Sequence, residues 1–317
     1  MVDPLPNDVP AGITGASFAR VTSGAIPFLI SSATVSEAEA QWLCDDSAGL
    51  GAAGVLTVSE QGNGSWKCVL VGASGAPVPE LEPDAALAVA AYLDGAGQLG
   101  RTDQLGAGVR LEFGSGEQYT VARSRGNYKV AGVRWSFAFP QQAQAEASDG
   151  TVHADGLPVA RPCLTMTVGA PVSVVALADV SELEGLRLDG HGPQLESGVL
   201  ERSSTSFVVP HDPLVDGGIA AVSMRFHHAP DERAGGSGYS AGQRLSREYG
   251  SSAAAAVAGS LAFQYWAGAG RDLAEGWAVS QPSALVGVRL EPRSASNASG
   301  TAQVTGPARV VANIQLS

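Results

Sequence analysis

Five histidines, three cysteines and a few paired carboxylates are the side chains in this 317-residue sequence that could do chemistry. Cys44, Cys68 and Cys163 are odd in number and widely spaced, so neither a metal-ligand spacing nor a disulfide framework is implied. The histidines are His153, His191, His211, His227 and His228. On a strand the adjacent pair His227-His228 would point to opposite faces and could not chelate one metal unaided. His211 sits in Pro210-His-Asp-Pro213, the composition of a turn between two strands. Asp45-Asp46, and Asp212 with Asp216, could supply oxygen ligands to an interfacial Ca²⁺, although neither pair has the spacing of a calcium loop. The expectation is a chain with no cofactor beyond such an ion.

Two catalytic patterns occur by letter. Gly95-Ala-Gly97-Gln-Leu-Gly100 matches G-x-G-x-x-G, but a dinucleotide site needs a strand before those glycines and a helix after them. Here a predicted helix precedes the glycines and Arg101-Thr-Asp follows. Among forty glycines such a match carries little weight. Gly238-Tyr-Ser240-Ala-Gly242 matches the nucleophile elbow, which needs a buried strand leading in and a later histidine. The lead-in, Asp231-Glu-Arg-Ala-Gly-Gly-Ser, is polar, and the last histidine, His228, lies upstream. No zinc spacing, phosphate loop or H-E-x-x-H is present. On these residues the chain is expected to be non-catalytic.

The net charge of −12 argues against nucleic-acid binding through the overall field. Only Lys67 and Lys129 are lysines, and the first 66 residues carry a single cation, Arg20. Arg101, Arg110, Arg123, Arg125, Lys129 and Arg134 fall in one short stretch, which reads as either a local anion-facing patch or a solvated face. Charged residues make up 16% of the chain against about a quarter in an ordinary domain, so the surface is unusually neutral. That suits a surface hidden against neighbours; a GC-rich genome would also enrich Ala, Gly, Val and Arg. The N-terminus lacks the cationic start and apolar run of a signal peptide. The small apolar stretch Ala253 to Ala262 is too short to span a bilayer, so no membrane insertion is expected.

The elements that must position these residues are mostly strands. Gly62-Asn63-Gly64 between Val55–Val58 and Trp66–Val71 is hairpin punctuation. Asp84–Leu93 has a capping residue and good helix formers, and Ser36–Leu43 could form a short helix. Strand-like runs follow at 108–113, 128–139, 150–153, 163–168, 206–209, 219–226, 261–266, 285–290 and 308–316. Ala229 to Ser252 reads as an exposed excursion. Lys129-Val-Ala-Gly-Val-Arg134 echoes Ala284-Leu-Val-Gly-Val-Arg289; two copies do not make a repeat architecture, and the echo reads as convergent strand chemistry. Many short strands with little helix indicate an all-β sandwich or barrel.

The order Asp3-Pro4, Ala25-Ile-Pro27, Gly62-Asn-Gly-Ser65, Tyr128-Lys-Val-Ala-Gly-Val-Arg134, Gly150-Thr-Val152 and Phe207-Val-Val-Pro-His-Asp212 resembles the coat proteins of small icosahedral positive-strand RNA viruses of the nodavirus and tombusvirus kind. The resemblance implies a single eight-stranded jelly roll, an antiparallel β-sandwich or barrel with few short helices. It implies an N-terminal arm at 1–50, a shell domain at 51–280 and a C-terminal extension at 281–317 packing on the shell or a neighbour. It further implies a self-assembling capsid subunit, made in the host cytoplasm and located in the virion. Such a subunit has itself as partner; without a basic arm, the viral genome is either held on the inner barrel face through Arg101, Arg110, Arg123, Arg125, Lys129 and Arg134, or packaged by other means. The alternatives are a bacteriophage head-decoration, tail or spike protein, and a carbohydrate-binding β-sandwich using some of Trp42, Trp66, Trp135, Trp266 and Trp277.

Overall fold

The computed structural model describes residues 9–99, 108–188, 192–196, 203–228, 250–268, 273–291 and 298–317. They divide into two compact units, one formed by the residues up to Val130 with Pro307–Ser317, the other by residues from Ala131 to Gly306.

In the first unit β1 (Ser17–Ser23), β2 (Ile26–Ser31), β3 (Gly54–Glu60), β4 (Trp66–Gly72), β5 (Val109–Phe113), β6 (Gln118–Ser124) and the start of β7 (Asn127–Phe137) are joined by the last strand, β17 (Ala308–Gln315). β17, β1 and β2 pair antiparallel, β2 with β3 parallel, β3 with β4 antiparallel, β4 with β5 parallel, and β5 with β6 antiparallel. Parallel neighbours need a long crossover, usually helical. The β2–β3 crossover carries α1 (Glu37–Cys44), and the β4–β5 crossover carries α2 (Glu82–Gly95).

Ser36 starts α1 with a capping box: its hydroxyl accepts from Glu39 N while the Glu39 carboxylate takes the Ser36 N–H. Its apolar face, with Ala40, Leu43 and Cys44, closes a cluster containing Phe18, Leu29 and Val55. α2 behaves differently, because every side chain from Glu82 to Ala91 is buried. A helix buried all round is enclosed by its sheet.

The second unit repeats this scheme. Its strands are the end of β7, β8 (Gly150–His153), β9 (Arg161–Val168), β10 (Ala170–Ala176), β11 (Gln194–Glu196), β12 (Ser204–Asp216), β13 (Ile219–His227), β14 (Gly276–Gln281), β15 (Ala284–Glu291) and β16 (Ser299–Gly306). β9–β10 is antiparallel, β10–β12 parallel, β12–β13 antiparallel, β13–β14 parallel and β14–β15 antiparallel, the order seen from β1 to β6. β15 pairs with β16, β16 with β7, and β7 with β9, which closes an eight-strand barrel. After α3 (Pro140–Glu146), α4 (Val180–Gly185) covers the outside of the barrel. α5 (Ala253–Gly268) fills its interior.

The duplicated order is not what the internal echo marks. The topology does occur twice, yet the echo pairs β7 with β15, strands that hold different places in it. Leu261–Trp266, expected as a strand, belongs to α5. Every side chain from Ala253 to Gln264 is buried, so no polar face marks the helical period. At Gly259 a Cβ would lie 3.2 Å from Met224 Cε and 3.4 Å from Val208 Cγ2, which shows how closely the wall approaches the helix.

The mostly-β expectation and a closed eight-strand barrel stand, but the jelly roll does not. A jelly roll is antiparallel, whereas four parallel pairs organise these two units. Residues 9–50, read as an arm, contribute β1, β2 and α1, and residues 281–317 contribute β15, β16 and β17.

Candidate active site

The first turn of α2 carries a strongly perturbed carboxyl group of the first unit. Leu81 gives the helix no side-chain cap, Pro83 occupies the first turn, and Glu82 and Asp84 both lie there. Acidic groups suit a helix N-terminus, but these two are also buried, at 3% and 2% exposure. Ser115 Oγ, in the β5–β6 turn, donates to Glu82 Oε2 at 2.8 Å, and Tyr119 OH, on β6, donates to the same oxygen at 3.4 Å. Burial pushes the Glu82 carboxyl up to about 7, helped by Glu117 and Glu80 and opposed by the Ser115 and Tyr119 hydrogen bonds. Asp84 Oδ1 accepts from Ser23 Oγ at 3.1 Å.

The cysteines do not compete for the role of acid or base. All three are buried. The Cys68 thiol is pushed up to about 12 by burial and by the charge of Glu82, and Cys163 reaches about 12 by burial and the charge of Asp149. Neither forms a thiolate near neutrality.

The second unit's buried acid is held differently. Both Asp149 oxygens accept from Thr165, one from its N–H at 2.8 Å and one from its hydroxyl at 2.9 Å. The chain continues through Ser173 to Ser203. Burial raises the Asp149 carboxyl, and these bonds oppose the rise. With both oxygens occupied, this carboxyl ties β9 to the segment before β8. The start of α5 is likewise closed by the protein: Ser252 Oγ accepts from Ala255 N, and the Gln281 amide bridges Ser252 N and O at 2.6 and 3.0 Å.

The residues singled out from sequence are scattered. Arg101 and His191 lie outside the described residues, as do the serine of the elbow-like motif and the last glycine of Gly95–Gly100. Arg110 pairs with Glu112 at 3.5 Å, and Arg123 lies 3.6 Å from Asp94, which also accepts from Tyr128 OH. Arg125 occupies a positive-φ turn, Lys129 lies on β7, and Arg134, also on β7, falls in the second unit. Pro210–Pro213 is an irregular stretch within β12 and not a turn between strands; there His211 Nε2 lies 3.0 Å from Ser223 Oγ. His153 is on β8, His227 is buried at the end of β13, and His228 Nδ1 lies 3.3 Å from Ser204 Oγ. Asp45 accepts from Ser47 and Ala48 in a local turn. Among the described residues no group of three or more His, Cys, Asp or Glu could hold a metal. Trp135 and Trp277 are core residues, and Trp266 donates to Ala147 O. Glu82 itself is not singled out by the sequence, which starts the helix at Asp84 as a cap; in the structure α2 starts at Glu82, Asp84 lies within its first turn, and only folding shows the burial of Glu82.

No protein-family model matches the sequence. Solved structures do share the fold along nearly its whole length. A phenazine biosynthesis protein of the PhzF family from Bacillus anthracis superposes with a TM-score of 0.61 at 12% identity, over 95% of this chain and 99% of that one. A predicted epimerase from Pseudomonas aeruginosa gives 0.56 at 13%, over 95% and 99%. A hydroxyproline epimerase from Agrobacterium vitis, with trans-4-hydroxy-L-proline bound, gives 0.54 at 10%, over 95% and 92%. The fold is therefore that of PhzF and proline-racemase-like proteins, whose solved members include a hydroxyproline epimerase. This overturns the coat-protein resemblance, and with it the capsid function and the virion as location.

Proposed function

We propose that this chain is a proton-transfer enzyme of the isomerase or epimerase class, with Glu82 as the group that takes and returns the proton. The observation that carries the reading is the Glu82 carboxyl, buried at the start of an enclosed helix and poised at about 7. A general base works best when its pKa lies near the working pH, and enzymes raise glutamates toward neutrality by burial to reach it. The fold supports the same reading, since neighbours at this level are named as epimerases, one with an amino acid bound. The substrate class proposed is a small acid with an acidified C–H next to a carboxyl group, and no resident cofactor is invoked.

The test is deuterium wash-in. The protein is incubated in D₂O with a panel of small carbon acids, proline and 4-hydroxyproline first, and loss of the α-proton signal is followed by NMR. Exchange is expected for at least one compound, with Glu82→Gln reducing it by about 10²–10⁴-fold. Exchange at an unchanged rate in Glu82→Gln would remove Glu82 from the mechanism.

A further inference from the structure

The two hydroxyl groups at Glu82 are arranged unequally. Both Ser115 Oγ and Tyr119 OH donate to Oε2. No hydrogen bond reaches Oε1 from any described residue. Resting on the reading of Glu82 given above, we infer that Ser115 and Tyr119 are positioning residues that hold Oε2 and leave Oε1 as the oxygen that exchanges the proton.

Each hydroxyl is itself fixed. Ser115 Oγ accepts from Glu117 N at 3.2 Å, so its own proton is directed at Glu82. The turn that carries it is tied by Gly116 N to Phe113 O at 3.0 Å and by Gly114 N to Cys68 O at 3.0 Å. Tyr119 is 3% exposed, and its ring stands edge-on to Phe113 with centroids 5.3 Å apart. The carboxyl plane is thus set by two donors on one oxygen.

The chemistry follows from that asymmetry. In the forward step the substrate C–H bond breaks, its electron pair stays on carbon, and the proton bonds to Oε1. Oε2 becomes the carbonyl oxygen of the neutral acid and continues to accept from both hydroxyls. In the return step the O–H bond at Oε1 breaks and the proton goes back to carbon. Neither hydroxyl has to turn during the cycle, so the surroundings of the base are preorganised for both protonation states. The two donors also favour the charged carboxylate and limit the rise that burial imposes.

The experiment measures the titration of the Glu82 carboxyl by ¹³C NMR in protein carrying [δ-¹³C]glutamate, assigned with Glu82→Gln. Wild type is compared with Ser115→Ala, Tyr119→Phe and Ser115→Thr, and deuterium exchange is followed in parallel. Ser115→Ala should raise the midpoint by about one pH unit, Tyr119→Phe by less, and Ser115→Thr should restore it. The pH profile of exchange should move with the carboxyl midpoint. Midpoints unchanged in both Ser115→Ala and Tyr119→Phe would overturn the positioning roles while leaving Glu82 as the base. A wild-type carboxyl titrating in the ordinary glutamate range would instead remove the reading of Glu82 itself.

Discussion

At Glu82 burial and hydrogen bonding oppose each other, and burial prevails. The carboxyl titrates at about 7 in the folded protein, against 4.5 as the ordinary value. The folded state therefore holds a proton that the unfolded chain releases between those two values, and stability falls as pH rises through that window. Below pH 4.5 the two states are protonated alike and this effect is absent; above pH 7 its full cost, on the order of 3 kcal/mol, persists. Glu82→Gln, neutral at all pH, should stabilise the protein at pH 8 by up to that amount and leave it nearly unchanged at pH 4. Urea denaturation at the two pH values checks this, and equal effects of the substitution at both would contradict it. The signal for this residue is faint in the sequence. Glu80, Glu82 and Asp84 are three acids just before or at a predicted helix start, a common arrangement, and nothing local says that one of them is enclosed.

At the scale of elements, what could be read from the sequence divides by mechanism. Gly62-Asn-Gly64 marks the β3–β4 hairpin, which closes as expected, with Gly64 at φ 77° and Asn63 Oδ1 accepting from Ser65. α1 and α2 were legible from Ser36 and from the good helix formers after Pro83. Val133, Trp135 and Phe137 alternate inward on β7. α5 was not legible, because a helix inside a barrel has no polar face to set a period, and its aromatic end, Phe263 to Trp266, imitates a strand. The composition is nevertheless explained once the helix is seen enclosed: alanine, glycine and serine are what the lumen admits. Ala256→Leu adds three carbons where nothing is exposed, and should cost about 1–3 kcal/mol. A thermal melt followed by circular dichroism measures the loss, and an unchanged midpoint would mean that the lumen is looser than described.

Over the whole molecule, sequence texture and topology carry different information. Short β-branched runs, glycine punctuation and a low charge content suit any protein built of many short strands, and they led to a coat-protein resemblance. Strand direction decides the matter. Parallel neighbours such as β4–β5 and β13–β14 need crossovers, and in each unit the long crossover holds the buried helix. The same order of pairings from β1 to β6 and from β9 to β15 marks a duplicated topology, which the sequence echo between β7 and β15 does not trace because those strands are not equivalent in it. The duplication does not extend to chemistry. Among the described residues, Glu82 at the start of α2 keeps one carboxyl oxygen without a hydrogen bond, whereas the start of α5 is occupied by Ser252 and Gln281.

The burial of a carboxyl group at neutral poise in this fold can be tested without knowing the substrate. The pH titration of the Glu82 carboxyl carbon in the wild-type protein, assigned by its loss in Glu82→Gln, reads that poise directly. The expected midpoint is about 7. A midpoint near the ordinary value of 4.5 would show a solvated, structural acid and would contradict it.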